Sequence, residues 1–168
     1  MSGFPQGYDA GMAAVGRVRG RWIDAQEWAL GRMERLAARR GAVVAPHLAV
    51  GLRGERAALF HLRRLGYTVV ARRRTNAKAR GDVDLIAWEG EWLCFIEVKT
   101  RTVRDLTPAE SAVDEDKREA VRRLARMYMQ GFPEKERRTV RVRFDVVSVY
   151  SVGGVNEFEV FRGAFGWR

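Results

Sequence analysis

The chain is poor in the residue types that form disulfides and bind zinc. It has 168 residues, with one cysteine, Cys94, and two histidines, His47 and His61, that are far apart. A single cysteine excludes an internal disulfide framework and a cysteine-based zinc site, and it favours a reducing, cytoplasmic location. No apolar run approaches the roughly 18 residues that a membrane span needs, and the N-terminus lacks the pattern of a secretory signal. We therefore expect a cytoplasmic protein with no membrane partner.

Negative charge is also scarce. The 31 lysines and arginines outnumber the 21 acidic residues, which gives a formal net charge of +10. Such an excess favours an acidic partner, most commonly nucleic acid. Because only four of the basic residues are lysine, a solvated surface in an arginine-rich proteome is the alternative. Neither G-x-x-x-x-G-K-[ST] nor G-x-G-x-x-G occurs, so nucleotide-driven chemistry has no support.

The remaining composition predicts one core preceded by an extension. Hydrophobic residues make up 46% of the chain, enough for one domain, which we place at 47–168. Residues 1–46 form the N-terminal extension, with a mobile glycine-rich leader over 1–20 and an amphipathic helix over 21–40. That helix could pack on the domain, pair with a second copy as a homodimer, or lie on a protein partner.

Apolar periodicity in the domain predicts an α/β fold, a mixed central sheet flanked by helices. The predicted helices cover 48–65 and 116–130, with a short one opened by Pro108, and the predicted strands cover 67–71, 82–88, 92–100, 140–150 and 155–161. Residues 72–81 are basic and turn-like, and Glu89–Glu91 should close a hairpin. Because the two strands of this hairpin are apolar on both faces, we expect them in the centre of a covered sheet.

Three acids and one lysine interrupt these apolar faces. Two-residue alternation puts Asp84 on the face of Ile86, and Glu97 with Lys99 on a second apolar strand face, while Glu55 falls on an apolar helix stripe. Buried carboxylates need cations or hydrogen-bond donors, and several of them together repel one another. A divalent metal ion would resolve that repulsion. The alternative is a plain ion pair between Glu97 and Lys99 at a strand end, with Asp84 capping a turn.

The residue types suit Mg²⁺ or Mn²⁺, which prefer oxygen ligands. Asp84 and Glu97 would supply carboxylates, and the backbone carbonyl of Val98 a third ligand. Such an ion acidifies water, which Lys99 could orient while it offsets charge on phosphate. Glu55 could bind the ion through water or accept a proton.

Neighbouring polar residues have two interpretations each. Asp82 is either an auxiliary metal ligand or the cap of the turn after Gly81. Arg101 could touch phosphate, and Lys117 lies near a helix N-terminus that favours anions. Asp145 is best explained by a structural ion pair, and Cys94 by a buried thiol. Five basic residues before Asp82 either contact phosphate or lie in a solvated loop: Arg72, Arg73, Arg74, Lys78 and Arg80.

Five segments, in this order, resemble the YraN-like family of bacterial proteins over about residues 50–150. They are G-E-R-A-A-L-F-H-L-R-R-L-G-Y (54–67), G-D-V-D-L-I-A (81–87), F-I-E-V-K-T-R (95–101), A-V-D-E-D-K-R (112–118) and R-F-D-V-V-S-V (143–149). That family in turn resembles the restriction-endonuclease-like fold, whose signature is an Asp followed by (D/E)-x-K on a central hairpin.

The resemblance implies roles at matching positions only. Asp84 matches the metal-binding aspartate of that fold, Glu97 and Lys99 match the E-x-K, and Glu55 matches the helical glutamate. The resemblance also assigns nucleic-acid contacts to Asn76 and Lys78, in a polar basic segment, and to Lys117, at the start of a helix. Three positions depart from the family pattern: Asp82 stands where Glu is usual, Lys78 where Arg is usual, and Glu119 where a basic or neutral residue is usual.

Together, charge, acidic pattern and resemblance predict a metal-dependent nuclease that hydrolyses phosphodiester bonds. We expect a nucleic-acid substrate, DNA in preference to RNA, recognised by structure such as branches or flaps. A non-catalytic nucleic-acid-binding or adaptor module on a nuclease-like scaffold is the alternative.

Overall fold

The structure, a computed structural model, describes residues 22–33, 36, 45–76, 81–101, 113–152 and 155–168. Its contacts divide the chain into two units, Met1–Val44 and Ala45–Arg168. In the first unit, residues 22–33 (α1) are helical, as is residue 36, within the predicted 21–40 helix. The predicted leader and the predicted helix at Pro108 lie outside the described residues. None of the described helices combines the length and the apolar character needed to cross a membrane.

The second unit has the predicted α/β architecture. Its helices are α2 (Pro46–Arg64), α3 (Glu115–Met129) and α4 (Glu134–Arg137), and its strands are β1 (Thr68–Asn76), β2 (Gly81–Glu89), β3 (Trp92–Arg101), β4 (Arg141–Val152) and β5 (Val155–Phe165). The strands form one sheet in the order β1-β2-β3-β4-β5. Only β3 and β4 run parallel, so the sheet is mixed, as predicted.

The hairpin of β2 and β3 is the centre of the domain, because residues on both faces of β3 are buried. The pair is antiparallel, and its turn uses Gly90 with a φ of 56°, a left-handed conformation that glycine adopts without a steric cost. Most hydrophobic residues of both strands are buried, as the doubly apolar pattern predicted, whereas Trp92 at the turn is exposed.

The two long helices pack on opposite faces of the sheet. Phe95 of β3 packs edge to face on Tyr128 of α3, whereas Thr100, five residues along β3, lies against Gly54 of α2. Because strand side chains alternate between faces, these odd and even positions lie on opposite sides of the sheet. α3 begins where the side chain of Asp114 accepts the backbone N–H of Lys117 at 2.8 Å, an N-cap that satisfies one free donor of the first turn.

The structure corrects the turn-like prediction at 72–76 and at residue 81, whereas 77–80 lie outside the described residues. β1 continues through the arginine run to Asn76 and pairs with β2, for example Arg74 with Val83. β1 is an edge strand, and Arg72–Arg74 are exposed, so their charges are solvated while their backbone still pairs. An apolar-periodicity rule cannot detect such a strand. Two further differences are α4, which was not predicted, and β5, which extends to Phe165.

The structure changes the alternation on which the predicted face of Asp84 depends. A Cβ at Gly81 would meet Ala120 of α3, and Val83 packs in the same cluster under α3 as Ile86. Strict alternation cannot place Val83 and Ile86 on one face, so the alternation of β2 is interrupted between them. Asp84 lies within this interrupted stretch, so alternation from Ile86 does not fix its face, which stays a prediction.

Candidate functional site

The predicted acidic residues lie where β2 and β3 stop pairing. Regular pairing runs from Glu89 and Trp92 to Leu85 and Ile96. Beyond that point the Oδ2 atom of Asp84 accepts the backbone N–H of Val98 at 2.7 Å.

The same hydrogen bond orients the carbonyl of Val98. The N–H and C=O groups of one strand residue point to the same side of the strand. The Val98 carbonyl therefore points to the side of β3 on which Asp84 lies. A carboxylate and a backbone carbonyl, both oxygen ligands, border the gap between the two strands.

Glu97 is buried at the same level, with 5% of its surface exposed. The ammonium of Lys99 lies 3.1 Å from Oε1, and that of Lys117 lies 3.2 Å from Oε2. The Lys117 contact is an ion pair, and Oε2 makes no regular hydrogen bond among the described residues. Oε2 is thus a buried oxygen that keeps lone-pair capacity beside its ion-pair partner, as a ligand of a hard cation requires.

The two central carboxylates disfavour each other's ionised form. Burial raises the pKa of Glu97, and the nearby charge of Asp84 raises it further. Burial also raises the pKa of Asp84, and the hydrogen bond from Val98 offsets this only in part. A cation held between them would remove both penalties, since an opposite charge stabilises ionised carboxylates.

Glu55 reaches this region from α2 on the other side of the sheet. Burial raises its pKa, although Arg73, with Nε 3.5 Å from Oε2, acts in the opposite direction. Glu55 also contributes to the raised pKa of Asp84, which places the two charges within electrostatic range. Gly54 permits this approach, because a Cβ there would overlap the Thr100 side chain.

Lys117 joins Asp82 to Glu97. Its Nζ lies 2.7 Å from Oδ1 of Asp82 in addition to its contact with Glu97. The hydrogen bond from Lys117 lowers the pKa of Asp82. Asp82 is therefore a partner of a helix lysine within β2, where the sequence suggested a turn cap or an auxiliary ligand. Lys117 faces these carboxylates, and its expected contact with nucleic acid stays a prediction. We call the group of Glu55, Asp82, Asp84, Glu97, Lys99 and Lys117 the carboxylate site.

The expected nucleic-acid contacts do not all converge on this site. Arg74 is exposed on β1 and borders a groove with the aromatic residues Tyr128 and Phe132. Asn76 ends β1, paired with Gly81, and its side chain lies outside the described residues. Arg101 is half-buried at the end of β3. Lys78 and Arg80 lie outside the described residues.

Two structural interpretations made from sequence are confirmed. Asp145 is buried and ion-paired, with Arg143 Nε 2.7 Å from its Oδ1. Cys94 is buried, and that burial raises the pKa of its thiol to about 12, so it is inert as a nucleophile at neutral pH.

Sequence reasoning missed two residues that the structure brings into the region. Arg73 pairs with Glu55, yet it was grouped with the other arginines as a phosphate contact. Ser148 lies opposite Lys99 in the β3–β4 register, and its buried Oγ has no hydrogen-bond partner among the described residues. Its only sequence signal was a hydroxyl in an apolar strand.

The carboxylate site is not a cluster of three protein ligands of the kind that binds zinc. Within the described ranges, no three His, Cys, Asp or Glu side chains are grouped to hold a metal ion. A metal there would rest on Asp84, Glu97 and the Val98 carbonyl, with water and substrate completing the shell. That donor set fits Mg²⁺ or Mn²⁺, which commonly use one or two carboxylates.

Comparison with known proteins gives a family. The model of an uncharacterised protein family, UPF0102, matches residues 54–149. A UPF0102 protein of Koribacter versatilis is 45% identical over 119 residues, which are 71% of this chain and 80% of that protein. A UPF0102 protein of Rhodococcus opacus is 42% identical over 127 residues, 73% of this chain and 100% of that protein. The chain therefore belongs to UPF0102, the YraN-like family that its five ordered segments resemble.

Proposed function

We propose that this chain is a metal-dependent nuclease that hydrolyses phosphodiester bonds, on a restriction-endonuclease-like scaffold. The observation that carries the proposal is the burial of Glu97, whose charge acts on Asp84 and whose Oε2 makes an ion pair but no regular hydrogen bond, at the point where β2 and β3 separate. Burying two carboxylates that repel each other lowers the stability of a fold, so their burial favours a functional role for the pair.

Each group at the carboxylate site has a chemical task in such a reaction. Asp84, Glu97 and the Val98 carbonyl would hold Mg²⁺ or Mn²⁺, which supplies positive charge for phosphate and acidifies water. Lys99 has about a third of its side chain exposed, so it can reach a phosphate oxygen while it pairs with Glu97. Glu55, whose pKa is raised by burial, is suited to accept a proton from water.

The substrate class follows from charge. A formal net charge of +10 and the exposed arginines of β1 would attract a polyanion. Arg74, beside Tyr128 and Phe132, offers a cation next to aromatic faces, a combination suited to a single-stranded or frayed segment. We therefore favour DNA with ends, branches or flaps over continuous duplex, in the cytoplasm.

The experiment compares Mg²⁺- and Mn²⁺-dependent cleavage of single-stranded, duplex and branched DNA and of RNA. Glu97→Ala and Lys99→Ala should each reduce cleavage by at least about 10²-fold, because Glu97 would hold the metal ion and Lys99 would stabilise charge on the phosphate. Glu91→Ala is the matched control, since Glu91 is an exposed acid on the hairpin turn and pairs only loosely with Arg141. Cleavage that survives both site substitutions would refute the proposal.

One observation favours the adaptor alternative. Both oxygens of Glu97 already have a lysine ammonium within about 3 Å, so the fold carries cations of its own at the site. An adaptor would bind nucleic acid in a salt-sensitive way, unaffected by Mg²⁺ and by Glu97→Ala. Its partner would be a second copy or another protein bound through α1, the described part of the predicted 21–40 helix, whose Trp22, Trp28 and Met33 are exposed.

A further inference from the structure

Two lysines contact Glu97, and they are not equivalent. Lys99 lies two residues along the same strand and touches only Oε1 of Glu97. Lys117 comes from the first turn of α3 and lies between two carboxylates, 2.7 Å from Asp82 and 3.2 Å from Glu97. An ammonium between two carboxylates takes a place that a divalent cation could otherwise occupy.

The backbone fixes this placement. The N–H of Lys117 is bound by the N-cap side chain of Asp114, so the start of α3 is held. Gly81 lets α3 approach β2 closely, because a Cβ at Gly81 would lie 2.7 Å from the Cβ of Ala120. Asp82, the next residue, is thereby brought within reach of Lys117.

The charges favour one divalent ion and disfavour two. Four carboxylates, those of Glu55, Asp82, Asp84 and Glu97, face three cations that pair with them, those of Arg73, Lys99 and Lys117. A second divalent ion beside Glu97 would add its charge to that of the Lys117 ammonium in a partly buried site, and removing the ammonium would remove that repulsion.

We propose that Lys117 is a positioning residue that replaces the second metal ion, so that the carboxylate site takes a single divalent cation. This inference rests on the proposed function. The ammonium holds the Oε2 side of Glu97 and the carboxylate of Asp82, which leaves Asp84, the Val98 carbonyl and the remaining lone pairs of Glu97 to one ion.

The test is the number of Mn²⁺ ions bound by the full chain without nucleic acid, measured by calorimetry and by electron paramagnetic resonance. Wild type should bind one ion. Lys117→Met, which keeps the side-chain length and removes the charge, should bind two, and close Mn²⁺ pairs should broaden the resonance. Lys117→Arg, which keeps the charge, should bind one.

A double substitution and an alternative variant complete the design. Lys117→Met with Asp82→Asn should return to one ion, because the second ion would lose its second carboxylate. Circular dichroism checks folding, and Lys117→Gln replaces Lys117→Met if that variant does not fold. The inference is overturned if the folded Lys117→Met or Lys117→Gln variant binds one ion, or if wild type binds two. Neither result contradicts the proposed function. No ion in wild type overturns the proposed metal site itself.

Discussion

Replacing Glu97 by Gln should separate metal binding from fold stability. The substitution keeps the shape and removes a buried charge whose pKa is raised by burial and by Asp84. Neither lysine is left buried and unpaired, since Lys117 keeps Asp82 at 2.7 Å and Lys99 has 32% of its side chain exposed. We therefore expect the metal-free free energy of unfolding to change by less than about 1 kcal/mol, well below the roughly 3–5 kcal/mol of a disrupted buried pair.

The response to metal should change completely. An ion present at one hundred times its dissociation constant stabilises the folded state by about 2.7 kcal/mol. In a chain of this size that corresponds to a rise in melting temperature of roughly 5–10 °C. Wild type should show this rise with Mn²⁺ in a thermal melt followed by circular dichroism, and Glu97→Gln should show none.

The control is Glu91→Gln, the same chemical change at an exposed position on the β2–β3 turn. It should show the wild-type rise. The reasoning is refuted if Glu97→Gln keeps the full rise, because the ion would then bind elsewhere. It is also refuted if Glu97→Gln unfolds without metal, because the carboxylate would then be a structural requirement.

Three further predictions concern the scaffold. Burial raises the pKa of Glu97 above its ordinary value of 4.5. The metal-free fold should therefore lose stability as the pH rises from 4.5 through the raised pKa. Urea titrations from about pH 4 to 8 should show this loss in wild type and a smaller loss in Glu97→Gln. Gly54→Ala should destabilise α2 by roughly 1–3 kcal/mol through overlap with Thr100, whereas Gly51→Ala, with open space around it, should stabilise the same helix by up to about 1 kcal/mol in denaturant unfolding. Burial alone would raise the pKa of Glu89, but hydrogen bonds from arginines lower it to about 2. The contribution of Glu89 to stability should therefore be present above pH 4.5 and lost toward pH 2. Glu89→Gln should lower the free energy of unfolding by roughly 1–3 kcal/mol at neutral pH and should abolish the loss of stability in acid.

The α/β class and the central hairpin were predictable because their determinants are local. Apolar periodicity, a glycine turn and helix stop residues act over a few positions, and β2, β3 and α3 appear within a few residues of their predicted bounds. β1 was underestimated because an edge strand with solvated arginines has no apolar pattern. Alternation could not fix the face of Asp84, because the interruption in β2 between Val83 and Ile86 has no signature in composition.

The carboxylate site was likewise predictable from sequence only in part. Glu55, Asp84, Glu97 and Lys99 could be selected from sequence because a charge on an apolar face is expensive, and such a cost is visible in the pattern alone. The pairing of Lys117 with Asp82 spans 35 residues, and that of Arg73 with Glu55 joins an edge strand to a helix. Periodicity gives the face of a side chain on its own element but no information about which other element meets it.

The sequence by itself thus determined which elements form, which faces are apolar and which charges cannot be explained by solvation, because these properties depend on neighbours in the chain. Only the tertiary structure decided which charges face one another and how many cations of the chain already sit among the acids. Both properties depend on where β2 and β3 separate and on how closely α3 approaches Gly81. Close packing of the folded chain sets this geometry, and the order of residues along the chain does not.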